Sequence, residues 1–243
     1  MKHLDITFDL ETTSLSSHAA IMQIAAVAWD RFAEDADHLF LVEPGEPGED
    51  VCARSIEEAE YFCVCVDLNS QFTEGRFDFS QSTSEWWGKQ SNAAKAAVLE
   101  GKLEKEALLD ALWSFHGWIN FICGDHDCDS VCIWCQGTDF DIPILRHAAE
   151  CCGIEGECMP ASLHHKYYRD CRTVIYENVC TWLGRPEGDQ PYSRLDLLKD
   201  PTLAYKILPQ LPESFGTREN AHGALYDAVR STWFTWQALE LTR

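Results

Sequence analysis

A mixed α/β layered domain is the fold this sequence predicts, and three observations predict it. Two apolar runs of strand length, Leu4 to Phe8 and Ile21 to Trp29, open the chain with only a short Ser/Thr-rich link between them. Farther on, apolar residues recur at helical spacing as Ala107-Leu108, Ala111-Leu112, Phe115, Trp118-Ile119 and Ile122. After that helix, strand-length and helix-length segments alternate, which is the order of a sheet covered by helices.

The elements follow in turn. Leu4 to Phe8 and Ile21 to Trp29 read as the first two strands, and the short link makes them an antiparallel pair. Residues 31–60 read as an acidic insertion, with Pro44-Gly45 and Pro47-Gly48 as turn signals and Leu39 to Val42 as a candidate short strand. From Tyr61 to Leu68 the side chains of Phe62, Val64, Val66 and Leu68 alternate onto one face, giving a third strand. Ser82, Thr83 and Ser84 offer N-caps for a helix carrying Glu85-Trp86-Trp87. The amphipathic helix runs from Leu103 to Ile122, and Val131 to Cys135 is the fourth strand. Asp141 to Cys152 reads as a helix that tolerates Pro143 in its first turn. Tyr168 to Cys171 is a fifth strand, leading into a helix from Thr173 to Leu183. Ser193 to Leu198 begins another helix, and Asn220 to Leu241 closes the chain as the last. The expectation is a five-stranded mixed sheet flanked by helices, in a single domain over 1–243 with an insertion at about 31–60.

Composition narrows the function. With 46% hydrophobic residues and 12 Phe, 9 Trp and 7 Tyr, the chain can bury a sizeable core. Asp5 and Asp9 interrupt any signal-peptide core, and no apolar run approaches membrane-spanning length. A soluble cytoplasmic protein is expected. Many of the 12 cysteines, among them Cys63, Cys65, Cys132, Cys135 and Cys180, then read as small buried hydrophobes rather than a disulfide frame. Cys123, Cys128, Cys132 and Cys135 with His126 can be drawn as a zinc site, but their spacing is irregular and two of them fall in a strand. A net charge of -21 argues against a simple electrostatic binder of nucleic acid. The acid is uneven: residues 34–60 hold ten Asp/Glu against one basic residue, Arg54.

Three acidic elements carry the chemical signal. Asp9 and Glu11 stand two apart at the end of the first strand, so both carboxylates point the same way. Two readings fit them: a solvated strand end, or a divalent cation held by hard oxygen ligands. Asp141 is presented where the fourth strand gives way to a helix, a junction at which α/β proteins place sites. It can also be a plain N-cap, and Asp139 competes with it; the apolar Phe140 and Ile142 fit best if Asp141 points inward. The last helix holds His222 and Asp227. Five residues span about one and a half turns, so the two do not share a face. If Asp227 faces the cleft, His222 lies nearer the helix start and reaches over the same site; a His and an Asp on a surface helix is the plainer alternative.

Taken together, four acids and one histidine resemble the DEDDh family of 3'–5' exonucleases, which has a ribonuclease H-like fold. Asp9-Leu10-Glu11-Thr12-Thr13 matches the first family motif, Phe140-Asp141 the second, and His222 with Asp227 the third, in the family's order. Thr83-Ser84-Glu85-Trp86-Trp87-Gly88-Lys89-Gln90-Ser91 and Tyr168-Arg169-Asp170-Cys171-Arg172-Thr173 resemble the branch containing exodeoxyribonuclease VIII, phage exonuclease A and a mycobacterial exoribonuclease. The likeness runs from about residue 4 to 240 and is weakest over 31–60. Ser14 stands where many relatives have Gly, and Gln136-Gly137 where the wider family often has Asn.

The resemblance implies two-metal hydrolysis of a phosphodiester with Mg²⁺ or Mn²⁺. It gives Asp9 to both ions, Glu11 and Asp227 to the ion on the nucleophile side, Asp141 to the other, and makes His222 the general base. It also sets the loop from Thr12 to Leu15 against the terminal nucleotide. Trp86 and Trp87 are candidates for base stacking, with core packing as the alternative. His164, His165, Lys166, Tyr167, Tyr168, Arg169 and Arg172 form the most basic stretch of the chain and a candidate phosphate track, Arg172 being equally a candidate salt-bridge partner. The expected partner is a single-stranded DNA or RNA 3' end, released as nucleoside 5'-monophosphates. The contrasting expectation is a catalytically silent nucleic-acid-binding or scaffold domain, and the intact five-residue set argues against it.

Overall fold

Both faces of the central sheet are covered, and the sequence periodicity shows why. The computed structural model describes residues 3–43, 53–72, 75–100, 105–154, 165–185, 191–217 and 223–243. The strands are β1 (His3–Thr12), β2 (Ile21–Trp29), β3 (Tyr61–Val66), β4 (Lys105–Glu106), β5 (Ser130–Cys135) and β6 (Tyr168–Asp170), in the spatial order β4-β3-β2-β1-β5-β6. The sheet is mixed: β1 and β3 run antiparallel to β2, while β5 pairs parallel with β1 and with β6. All nine residues of β2 are buried, as befits a central strand with helices on both faces.

One face of β1 carries Leu4, Ile6, Phe8 and Leu10 into a core shared with α3 (Leu108–Asp125) and α4 (Asp141–Cys151). The opposite face carries Asp5, Thr7, Asp9 and Glu11. On that side Val27, Trp29, Cys132 and Trp134 meet α5 (Cys171–Trp182) and α8 (Ala224–Glu240) in a second core. The remaining helices are α1 (Gln81–Gly88), α2 (Asn92–Lys95), α6 (Arg194–Lys199) and α7 (Leu203–Ile207). No described helix is long and apolar enough to cross a membrane.

Among the described residues the sheet has six strands rather than five. The extra one, β4, is two residues long, pairs Lys105 and Glu106 with Cys65 and Val66, and delays the start of α3 to Leu108. The first strand also outruns its expected end, because β2 keeps pairing it as far as Thr12. Asp9 and Glu11 therefore lie inside a strand, not at its tip. The third strand stops at Val66, where Asp67 caps a short 3₁₀ turn at Leu68–Gln71. Ser80, not Ser82 to Ser84, caps α1, its hydroxyl accepting from Thr83 N–H at 3.4 Å. Asp170 ends β6 and caps α5 by accepting from Thr173 N–H at 2.7 Å. Of the acidic segment, 44–52 lies outside the described residues, with Pro44-Gly45 and Pro47-Gly48 in it. Its flanks are knitted into the fold: Leu39 and Phe40 are buried, Leu41 N–H donates to Ala28 at 3.1 Å, and Glu60 N–H donates to Leu41 at 2.8 Å.

Candidate active site

The site forms where β1 outlasts its parallel neighbour. The last β1–β5 pair is Thr7 with Trp134 and β5 ends at Cys135, so Asp9 to Thr12 project past the end of β5 into the crevice at the carboxyl ends of the parallel strands. Asp9 and Glu11 share the face that α8 covers. Asp227 comes from the first turn of α8, whose entry is fixed by Gln23: its Oε1 accepts from Ala224 N–H at 2.9 Å. Gln23 stands directly across the β1–β2 pair from Glu11. As a result Asp9, Glu11 and Asp227 each bring one carboxylate oxygen within 4.8 Å of the others.

Asp141 joins them from the first turn of α4. The turn after β5 is held by Phe140 and Asp141 N–H groups donating to Gly137 at 2.9 and 3.1 Å, and by Thr138 N–H donating to Asp170 at 3.1 Å. Asp141 is buried and receives the backbone N–H of Leu10, which β5 no longer reaches. Asp139 is exposed, so the geometry selects Asp141 of the two. Asp141 and Asp227 both sit at helix N-termini, where the backbone dipole favours negative charge.

The electrostatics mark this as a strained set. Burial, then the charges of Asp141, Glu11 and Asp227, hold the Asp9 carboxyl well above its usual range. Burial, then Asp227 and Asp141, do the same to Glu11. Burial pushes Asp141 up to about 7, against the opposing pull of Arg172 and of the Leu10 N–H. Donors that are all carboxylate oxygen, crowded and short of positive charge, fit a hard divalent cation.

A cavity of about 340 Å³ opens beside Glu11. Leu10, Glu11, Thr12 and Leu15 form its floor, Ser82, Thr83, Trp86 and Trp87 of α1 one wall, and Phe140 another. Trp87 is buried and donates from Nε1 to the Thr12 carbonyl at 3.4 Å; Trp86 is 41% exposed and meets it edge-on at 5.2 Å. Leu15 is 82% exposed at the cavity mouth. Thr12, Leu15, Trp86 and Trp87 thus come together, and Ser82, Thr83 and Phe140, which the sequence does not mark as substrate contacts, line the same cavity.

The two arginines part company. Arg172 is exposed and lies beside the Asp141 turn: a Cβ built on Gly137 would stand 3.9 Å from its guanidinium. Arg169 folds onto its own backbone, donating to Lys166 and Tyr168 carbonyls at 2.8 Å each. His222 and His164 lie outside the described residues. Cys132 and Cys135 point to opposite faces of β5, one in each core, so they cannot ligate one zinc ion together. His126 is engaged with Glu60 at 3.1 Å.

Known proteins share this architecture. The family described as the 3'-5' exoribonuclease Rv2179c-like domain matches residues 4–193. The exodeoxyribonuclease of Enterobacteria phage T4 is 29% identical over 143 residues, covering 58% of this chain and 53% of the relative. The chain therefore spans about half the length of that curated relative. Among solved structures, cell-death related nuclease 4 (CRN-4) superposes with a TM-score of 0.55 at 14% identity, over 98% of this chain and 64% of that one. Exonuclease I, crystallised with SSB and the inhibitor CFAM, gives 0.50 at 14% identity, over 95% and 41%. These two are likenesses of fold, the ribonuclease H-like mixed sheet. The family match runs from β1 through Ser193, across three of the four acids, and this chain belongs to the 3'-5' exoribonuclease Rv2179c-like family.

Proposed function

We propose that the chain, 1–243, is one exonuclease domain that removes nucleoside 5'-monophosphates from the 3' ends of single-stranded DNA or RNA with the help of two divalent cations, Mg²⁺ or Mn²⁺. The observation that carries this reading is the meeting of Asp9, Glu11 and Asp227 within 4.8 Å, with Asp141 close enough to raise the affinity of Asp9 and Glu11 for protons. Asp9, Glu11 and Asp227 would hold one ion, and Asp9 with Asp141 the other. When bound, such ions supply charge neutralisation and Lewis acidity to a phosphodiester. The remaining work falls to the protein. His222, directly before the N-cap Gly223 of α8, takes the proton of the attacking water on an imidazole nitrogen. Thr12 and Leu15 seat the terminal nucleotide, and the exposed Trp86 face stacks its base. Arg172 meets a phosphate beside Asp141, and Arg169 lies farther along the same backbone track.

The test is release of mononucleotides from 3'-labelled DNA and RNA oligonucleotides with Mg²⁺ or Mn²⁺. We expect release with at least one pairing, and a loss of about a thousandfold or more in Asp9→Ala and Asp141→Ala. No release from either polymer with either metal would overturn the reading. The DNA and RNA arms decide the sugar preference.

A further inference from the structure

Near the Asp141 turn, on residues that do not line the Trp86 cavity, basic and polar side chains converge on one phenol. Gln136, the residue after β5, donates from Nε2 to the Tyr205 hydroxyl at 3.2 Å. Tyr205 rises from α7, and its ring meets Phe234 edge-on at 5.2 Å. Arg230 of α8 lies 5.3 Å over the Tyr205 ring and 5.1 Å over that of Phe234. Arg172 of α5 completes the group; its charge acts on both Tyr205 and Asp141. Neither Arg172 nor Arg230 forms an ion pair with a described carboxylate. All four side chains are at least partly open to solvent. In a chain of net charge -21, two guanidiniums that form no ion pair with a described carboxylate, near the carboxyl end of β5, point to an outside anion.

The hydrogen-bond direction sharpens this. Because the Tyr205 oxygen accepts from Gln136, its own proton remains to be given to an acceptor. A phosphodiester offers that acceptor and carries the charge that paired guanidiniums match. The nucleotide cavity is lined by β1, α1 and Phe140, with Glu11 at its edge, whereas this group comes from the residue after β5 and from α5, α7 and α8, with Arg172 beside the Asp141 turn. A strand whose last nucleotide fills the cavity and whose scissile phosphate meets the acids continues over Gln136.

We propose that Gln136, Arg172, Tyr205 and Arg230 clamp the phosphodiester immediately 5' of the scissile one. This rests on the exonuclease reading above and adds a second phosphate position to it. The clamp fixes the direction in which substrate leaves the site, and it gives no help to a substrate lacking an upstream phosphate.

Two measurements test it. Tyr205→Phe and Arg230→Gln are compared with the wild type on an oligonucleotide of the preferred sugar and on the p-nitrophenyl ester of thymidine 5'-monophosphate, which has no upstream phosphate. For Arg230→Gln, KM on the oligonucleotide should rise about tenfold, with a smaller rise for Tyr205→Phe. The slope of log KM against log salt should flatten by about 0.7 in Arg230→Gln. The loss on the oligonucleotide should exceed that on the ester several-fold. Independently of any variant, an oligonucleotide with an uncharged methylphosphonate at the linkage just 5' of the scissile bond should show the same rise in KM with wild-type protein, and Arg230→Gln should add nothing to it. Equal losses on both substrates, or a methylphosphonate handled like the native linkage, overturns the clamp. A wild type that turns over neither substrate refutes the exonuclease reading, and the clamp with it.

Discussion

Three carboxylates on one face of β1 meet opposite fates. Asp5 is fully buried and comes with its own cation: Arg31 donates from Nε to Oδ2 at 2.8 Å and from a terminal nitrogen to Oδ1, while Trp134 Nε1 donates to Oδ1 at 2.6 Å. Burial pushes this carboxyl up, but His3, Arg31 and Trp134 together hold it below its usual range. Asp9 and Glu11, four and six residues on, are surrounded by acids and are pushed the other way. His3, Asp5 and Cys132 cluster like metal ligands, yet the guanidinium already fills that role. The contrast yields a prediction about stability. Arg31→Met leaves the buried Asp5 charge to His3 and Trp134 alone and should cost about 3–5 kcal/mol in urea unfolding at neutral pH. The deficit should shrink as pH falls through the carboxylate range, because a protonated Asp5 no longer needs its partner. A cost below about 1 kcal/mol, or one that does not depend on pH, would show that Arg31 is not what holds Asp5.

Elements are aligned by single side chains of this kind. Gln23 is the one polar residue of β2 and is buried. Its oxygen takes the Ala224 N–H at the start of α8, and its nitrogen donates to the Ala97 carbonyl at 3.3 Å. It thereby sets the depth at which α8 enters beside Glu11, and so the place of Asp227. Gln23→Leu fills the space but leaves the helix amide without an acceptor; it should cost about 1–3 kcal/mol and lower kcat more than it raises KM. Gln23→Glu keeps an acceptor for Ala224 but loses the donor to Ala97 and adds a buried carboxylate across from Glu11, so it should not restore wild-type kcat. Equal kcat for Gln23→Leu and wild type would remove Gln23 from the positioning of α8.

Much of this was legible in sequence. Both ends of β2 and the start of α4 fall where apolar runs and Pro143 put them, because burial on two faces leaves a run that is apolar but for Gln23. Asp9 and Glu11 were legible because a period of two fixes their common face. The two-residue β4 was not, since Lys105-Glu106 has no pattern of its own and exists only by pairing with β3. Ser80 is not distinguishable in sequence from Ser82, Thr83 and Ser84 as the cap, because capping depends on a backbone turn that each of these hydroxyl residues can make. Tyr205 and Arg230 carry no signal in sequence because the contacts of Tyr205 with Gln136 and with Arg230 depend on how three distant elements pack.

At the scale of the whole molecule, the fold concentrates charge where the sheet opens and must hold it there. Asp141 rises from an ordinary 3.8 to about 7, and Asp9 and Glu11 rise as well. A carboxyl whose affinity for protons is higher in the folded state stabilises the fold while it stays protonated. That contribution is complete below the unfolded value and vanishes as pH climbs through the folded one. The metal-free protein should therefore lose stability between about pH 4 and pH 7, by on the order of a few kcal/mol, as this cluster ionises against itself. Divalent cations take the place of the departing protons. Millimolar Mg²⁺ or Mn²⁺ should accordingly raise Tm strongly at about pH 7.5 and hardly at all at about pH 5. Sodium chloride at matched ionic strength screens the -21 surface but cannot enter among Asp9, Glu11 and Asp227, so it should not reproduce the rise. Calorimetry across the two pH values with each salt decides the matter. A magnesium effect equal at both pH values, or matched by sodium, would mean that the four carboxylates are not the seat of cation binding.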